Sequence, residues 1–168
     1  ENNELVEAPI LPESSNLLFL SLHNNLLTSL SDISNQHNLL YLNVSRNSSL
    51  GYIPSLSHLT KLQDLTIYLC GLDELPDLTD LSSLSILNAG YNNLTSIPDL
   101  GHLSTLKTIY LNDNMLNSIS DLSGLPLLEK VRLYNNYLSF EDFTSFSSDS
   151  NYSEVFKIVS QYKFPINL

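Results

Sequence analysis

Tryptophan is absent from the 168 residues, and cysteine and methionine occur once each. A lone cysteine, Cys70, makes no internal disulfide, so packing and hydrogen bonds have to hold the fold. No apolar run approaches the roughly 20 residues that a membrane span needs. The start, Glu1-Asn2-Asn3-Glu4, lacks the basic and then apolar pattern of a signal peptide. Basic residues are scarce: 7 Lys and Arg stand against 18 Asp and Glu, a formal net charge of -11. Nucleic acid and an acidic membrane surface are repelled by that field, and a cationic partner fits it better. Groups for catalysis are scarce too. His23, His37, His58 and His102 form no column that runs through the copies, and the sequence holds no Gly-rich phosphate loop, paired metal-ligand motif or nucleophile elbow. No enzyme, no cofactor and no metal is expected.

What the chain has is leucine, at a fixed spacing. Leu20, Leu42, Leu65, Leu87, Ile109 and Val131 follow one another at steps of 22, 23, 22, 22 and 22 residues. Each sits in one frame: apolar, two variable, apolar, one variable, apolar, two variable, Asn or Cys, one variable, apolar. Leu17/Leu20/Leu22/Asn25/Leu27 and Leu106/Ile109/Leu111/Asn114/Leu116 are two copies. Leu62/Leu65/Ile67/Cys70/Leu72 puts Cys in the Asn place, and Leu39/Leu42/Val44/Asn47 reaches Leu50 one residue late, through Ser48-Ser49. Apolar residues two apart face the same side of a strand. Each copy therefore supplies one strand. No copy buries its own leucines, so neighbours must stack.

Six copies in phase over residues 16 to 140 resemble the leucine-rich repeat in its short 22-residue form. The length is similar to bacterial exported arrays of the internalin type. The segment Leu138-Ser139-Phe140-Glu141-Asp142 is similar to the ends of exported Bacteroidetes arrays. The single cysteine departs from the Cys-stapled end caps of animal and plant extracellular members. The resemblance implies an α/β solenoid: an arc with a parallel sheet on the concave face and short helical turns or loops on the convex face. The Asn column (Asn25, Asn47, Asn92, Asn114, Asn136) is read as structural, satisfying turn backbone from inside, with Cys70 doing so through a weaker thiol. Leu75-Pro76-Asp77-Leu78, Ile97-Pro98-Asp99-Leu100 and Ile119-Ser120-Asp121-Leu122 mark the convex side, where Asp is read as a cap of a helical turn. These aspartates lack the ligand spacing of a calcium loop.

Residues 1–13 read as the second half of an upstream copy whose strand is missing, because Asn3 to Leu11 aligns with Asn92 to Leu100. Residues 14–140 hold the six repeats, and 141–168, rich in Phe, read as a C-terminal cap over the last leucine layer. The expectation is a piece cut from a longer protein, or a chain whose upstream strand was lost. Four sequons, at Asn43, Asn47, Asn93 and Asn151, are taken as chance in an Asn- and Ser-rich chain.

The frame names the outward strand residues. An aromatic occurs in every copy: Phe19, Tyr41, Tyr68, Tyr91, Tyr110 and Tyr134. With Asn43, Asn88, Asn112 and Arg132 they form the candidate ligand-binding set, since Tyr combines large area with a hydroxyl at low entropy cost. Lys130 and Arg132 make a small basic spot that pairs either with a partner or with Glu129 or Asp113. The function expected is a non-catalytic protein-binding module of a larger exported or cell-surface protein, monomeric and not inserted in a membrane. A glycan on the same face, a cytoplasmic adaptor similar to phosphatase-regulating repeat proteins, and a spacer are the alternatives.

Overall fold

The computed structural model describes residues 3–12, 16–139 and 142. Six three-residue strands follow one another: β1 (Phe19–Ser21), β2 (Tyr41–Asn43), β3 (Asp64–Thr66), β4 (Ile86–Asn88), β5 (Thr108–Tyr110) and β6 (Lys130–Arg132). They form one parallel sheet in chain order. The anchor column Leu20, Leu42, Leu65, Leu87, Ile109 and Val131 is in register across it. Every central residue is buried, and the residues on either side stand on the outer face. Backbone bonds continue beyond each triplet: Leu22 donates to Asn43, Val44 to Thr66, Ile67 to Asn88, Ala89 to Tyr110 and Leu111 to Arg132. One hydrophobic core runs from Leu20 to Leu133.

The expected helical turns are absent: the fold is a parallel β-solenoid, with no α-helix among the described residues. The physical reason lies in the return segments. Their buried residues recur every third position: Leu56, Leu59 and Leu62; Leu78, Leu81 and Leu84; Leu100, Leu103 and Leu106. An α-helix has about 3.6 residues per turn, so each three-residue step falls about 60° short and the apolar row drifts off the core. Isolated turns keep the row facing inward. Leu81 donates to Leu78 and Leu84 to Leu81, and the same pair of bonds joins Leu100, Leu103 and Leu106. The aspartates serve these turns, not a helix. Asp32, Asp77, Asp99 and Asp121 each accept the backbone N–H two residues on, from Ser34, Thr79, Gly101 and Ser123, at 2.8–3.0 Å. A side chain that takes this N–H competes with helical pairing.

The Asn column is the second seam between coils. Asn47 donates to Val44 in its own coil (2.7 Å) and to Leu22 in the preceding one (3.1 Å), and its Oδ1 accepts the N–H of Leu27 (3.0 Å). Asn92, Asn114 and Asn136 repeat this arrangement. Among the described residues no buried side-chain N or O lacks a partner.

One junction differs, and both irregularities of the sequence pattern meet there. The Cys70 thiol donates to Val44 (3.3 Å), standing in for the Asn amide. Burial pushes its pKa up to about 12, so it stays a protonated donor. It has no strong acceptor for the Leu50 N–H. The extra residue in Ser48-Ser49 lets that N–H bond Asn47 of its own coil at 2.9 Å, while Gly51 donates to the Cys70 carbonyl. The bulge brings Ser48 against Gly71, whose φ is +69° and where a Cβ would sit 2.6 Å from the Ser48 carbonyl oxygen. Glycine is required there.

Residues 3–12 lie along the first coil. Leu5 donates to Asn25 Oδ1, Leu26 and Thr28 donate to Leu5 and Val6, and Glu7 pairs in parallel with Ser29. Gln36 fills a core position that is Leu in later coils, and its amide donates to the Pro12 carbonyl at 3.0 Å. The segment 141–168, read as a cap, lies outside the described residues except for Asp142.

Candidate functional site

Six three-residue strands give twelve outward positions, and only Asp64, Lys130 and Arg132 among them are charged. Just beyond each strand the chain turns inward through a residue with φ near +55°: Asn24, Arg46, Leu69, Tyr91, Asp113 and Asn135. The N–H groups of the first five still reach the next coil, as from Arg46 to Tyr68 and from Tyr91 to Asn112. The turn swings the following Asn or Cys into the interior. Asn and Asp tolerate this left-handed backbone; Arg, Leu and Tyr are strained in it.

The aromatics predicted from the sequence do not form one stack. Phe19 and Tyr41 share the first outward row, with ring centroids 6.3 Å apart. Tyr68 and Tyr91 make an edge-to-face pair at 5.4 Å, and the Arg46 guanidinium lies 5.4 Å over the Tyr68 ring. The Asp113 carboxylate beside Tyr91 raises its hydroxyl pKa, helped by the hydrogen bond between them, with Tyr134 and Tyr68 adding smaller effects. Asp113 also accepts from the amides of Asn112 (2.7 Å) and Asn135 (2.6 Å). Arg46, Tyr68, Tyr91 and Asp113 thus form one cluster across four coils. Tyr110 stands apart, under Arg132 at 4.5 Å and Lys130 at 5.3 Å.

Exposure divides the candidates further. Phe19 is 65% exposed and Tyr91 46%. Tyr41, Asn43, Tyr68, Asn88, Tyr110, Arg132 and Tyr134 are half-buried, while Asn112 is buried. Asn43 donates to the Tyr41 hydroxyl at 2.9 Å and accepts from Ser45, and Asn88 accepts from the Gly90 N–H at 3.4 Å. Arg46 and Asp113 are not in the sequence-derived set; their positions recur in the frame, but no local motif marks the left-handed turn. Asp64 carries a pKa raised by burial, against the Thr66 hydroxyl that donates to it at 3.0 Å. Away from this face, a 460 Å³ groove between two return segments is lined by Pro76, Asp77, Ile97, Pro98, Asp99 and His102 among others. No group of three or more metal-ligating side chains occurs among the described residues, and no helix among them is long and apolar enough to cross a membrane.

No family model matches the chain, and no curated protein is similar to it at a significant level. Solved structures are similar. YopM from Yersinia enterocolitica WA-314 is 30% identical, covering 82% of this chain and 32% of its own, with a TM-score of 0.64. YopM from Yersinia pestis, a leucine-rich effector protein, is 32% identical over 82% of this chain and 43% of its own, with a TM-score of 0.63. The chain is a bacterial-type leucine-rich-repeat solenoid. The functional domain of InlJ from Listeria monocytogenes, which includes a cysteine ladder, shares the fold at 22% identity and a TM-score of 0.55, over 73% of this chain and 31% of its own. The repeat module spans less than half the length of each of these proteins.

Proposed function

We propose that the outer strand face, the one expected to be concave, recognises a protein partner on behalf of a larger exported or cell-surface bacterial protein. What supports this is Tyr91, nearly half exposed on a left-handed backbone and in edge contact with Tyr68. Holding a Tyr there costs on the order of 1 kcal/mol relative to Gly. A strained residue kept on an exposed face points to recognition, and Tyr and Arg commonly dominate protein interfaces. Arg46 and Asp113 flank the two rings with opposite charge. Phe19, Tyr41, Asn43, Asn88, Tyr110, Asn112, Arg132 and Tyr134 complete the face. The likeness to the Yersinia and Listeria proteins supports an exported or surface setting.

A glycan is the second occupant to consider, because the exposed rings of Phe19 and Tyr91 could stack on a sugar. The amides of Asn43 and Asn112 are already committed to Tyr41 and Asp113, which leaves the face short of sugar-binding donors. Protein recognition is therefore preferred. With a captured partner, Tyr68→Ala combined with Tyr91→Ala should lower affinity at least about tenfold while thermal melting is kept. Undiminished affinity in that variant sinks the reading. Hits on a glycan array that the same variant abolishes would favour the sugar.

A further inference from the structure

Lys130 and Arg132 are the first and third residues of β6, so both side chains leave the sheet on the same side. Arg132 is in register with Tyr110 of β5, and Lys130 reaches the same ring diagonally. One ring therefore orders two cations at 4.5 and 5.3 Å. A π face attracts positive charge but fills none of the five guanidinium or three ammonium N–H donors. The sequence offered Glu129 or Asp113 as a neutralising partner, and the Asp113 carboxylate oxygens take the amides of Asn112 and Asn135. Holding two like charges side by side over a ring is unfavourable until an anion arrives, and a carboxylate pair matches the donors.

We propose that the C-terminal end of the strand face docks an acidic segment of the protein partner, whose Asp or Glu carboxylates meet Lys130 and Arg132 above Tyr110. The assignment rests on the strand-face reading and deepens it. The surrounding charge sharpens the match. On a chain of net charge -11, an acidic segment is repelled over most of the surface and admitted at this spot. Repulsion elsewhere and attraction at one end fix the direction in which a partner lies along the sheet.

The test uses hexaglutamate as the probe, with hexalysine and inorganic phosphate as comparisons, followed by NMR of the Arg132 Nε–H and Tyr110 backbone signals. Hexaglutamate is expected to shift both signals saturably, less so at high salt. Lys130→Gln with Arg132→Gln should weaken that binding by about tenfold. The single substitutions serve as a second measurement if the double variant melts early, each lowering affinity by a smaller factor. Three outcomes overturn the proposal: no shift, an equal shift with hexalysine or phosphate, or full binding by the double variant. The variant lacking Tyr68 and Tyr91 rings should still bind hexaglutamate. A failure of this acidic docking point is thus separable from a failure of the strand-face reading.

Discussion

At Asn24, Arg46, Leu69, Tyr91, Asp113 and Asn135, one left-handed backbone is imposed on five kinds of side chain. The geometry belongs to the coil, since each residue hands the chain from the strand to an inward Asn or Cys. Leu69 lies outside the proposed contact set and gives a clean measure of the strain. Leu69→Asn should stabilise the solenoid by up to about 1 kcal/mol, read from denaturant unfolding, because Asn tolerates this φ. A loss of stability would mean that the Leu69 side chain contributes more packing than its half-buried position suggests. Asp64 offers a second residue-scale test. Burial raises its pKa in the folded chain, so ionisation at neutral pH opposes folding, and that penalty vanishes below the unfolded value. Asp64→Asn should therefore raise the melting temperature at neutral pH, with the gain shrinking as pH falls through the carboxylate range. A gain independent of pH would assign the effect to packing.

At the scale of the coil, much was legible before the structure. Leu20 and Leu22 announced a strand with one buried side, and the Asn column announced its internal bonding. The return segments misled because Asp before Leu reads as a helix cap, although Leu78, Leu81 and Leu84 already carried a period of three. Reading that period against 3.6 would have removed the helix. The rim cluster was only half legible, since Tyr68 and Tyr91 could be named but their meeting depends on a backbone turn that no residue type signals. The extra residue at Ser48-Ser49 and the Cys in the Asn column looked like two separate departures. They are joined through the Leu50 N–H. Deleting Ser49 alone, or Cys70→Asn alone, should each destabilise by about 1–3 kcal/mol, because one leaves a buried N–H without an acceptor and the other a buried oxygen without a donor. Made together, they should cost less than their sum. Strict additivity in a double-mutant cycle would show that the two features are independent.

At the scale of the whole molecule, the asparagine seam between coils has a direction. In each Asn-containing junction the later coil brings the side chain, and the earlier coil contributes backbone groups that accept or donate to it. Coil after coil is completed by its successor. Stripping a repeat from the C-terminal side exposes main-chain polar groups and a wall of leucine at once. Stripping residues 3–12 leaves the Leu26 and Thr28 N–H groups, the Gln36 amide and the Asn25 oxygen without these partners. An asparagine therefore guards the coil before it: Asn114→Ala should raise amide exchange at Leu94, which loses its acceptor, more than at Leu116, which keeps the Asn136 oxygen.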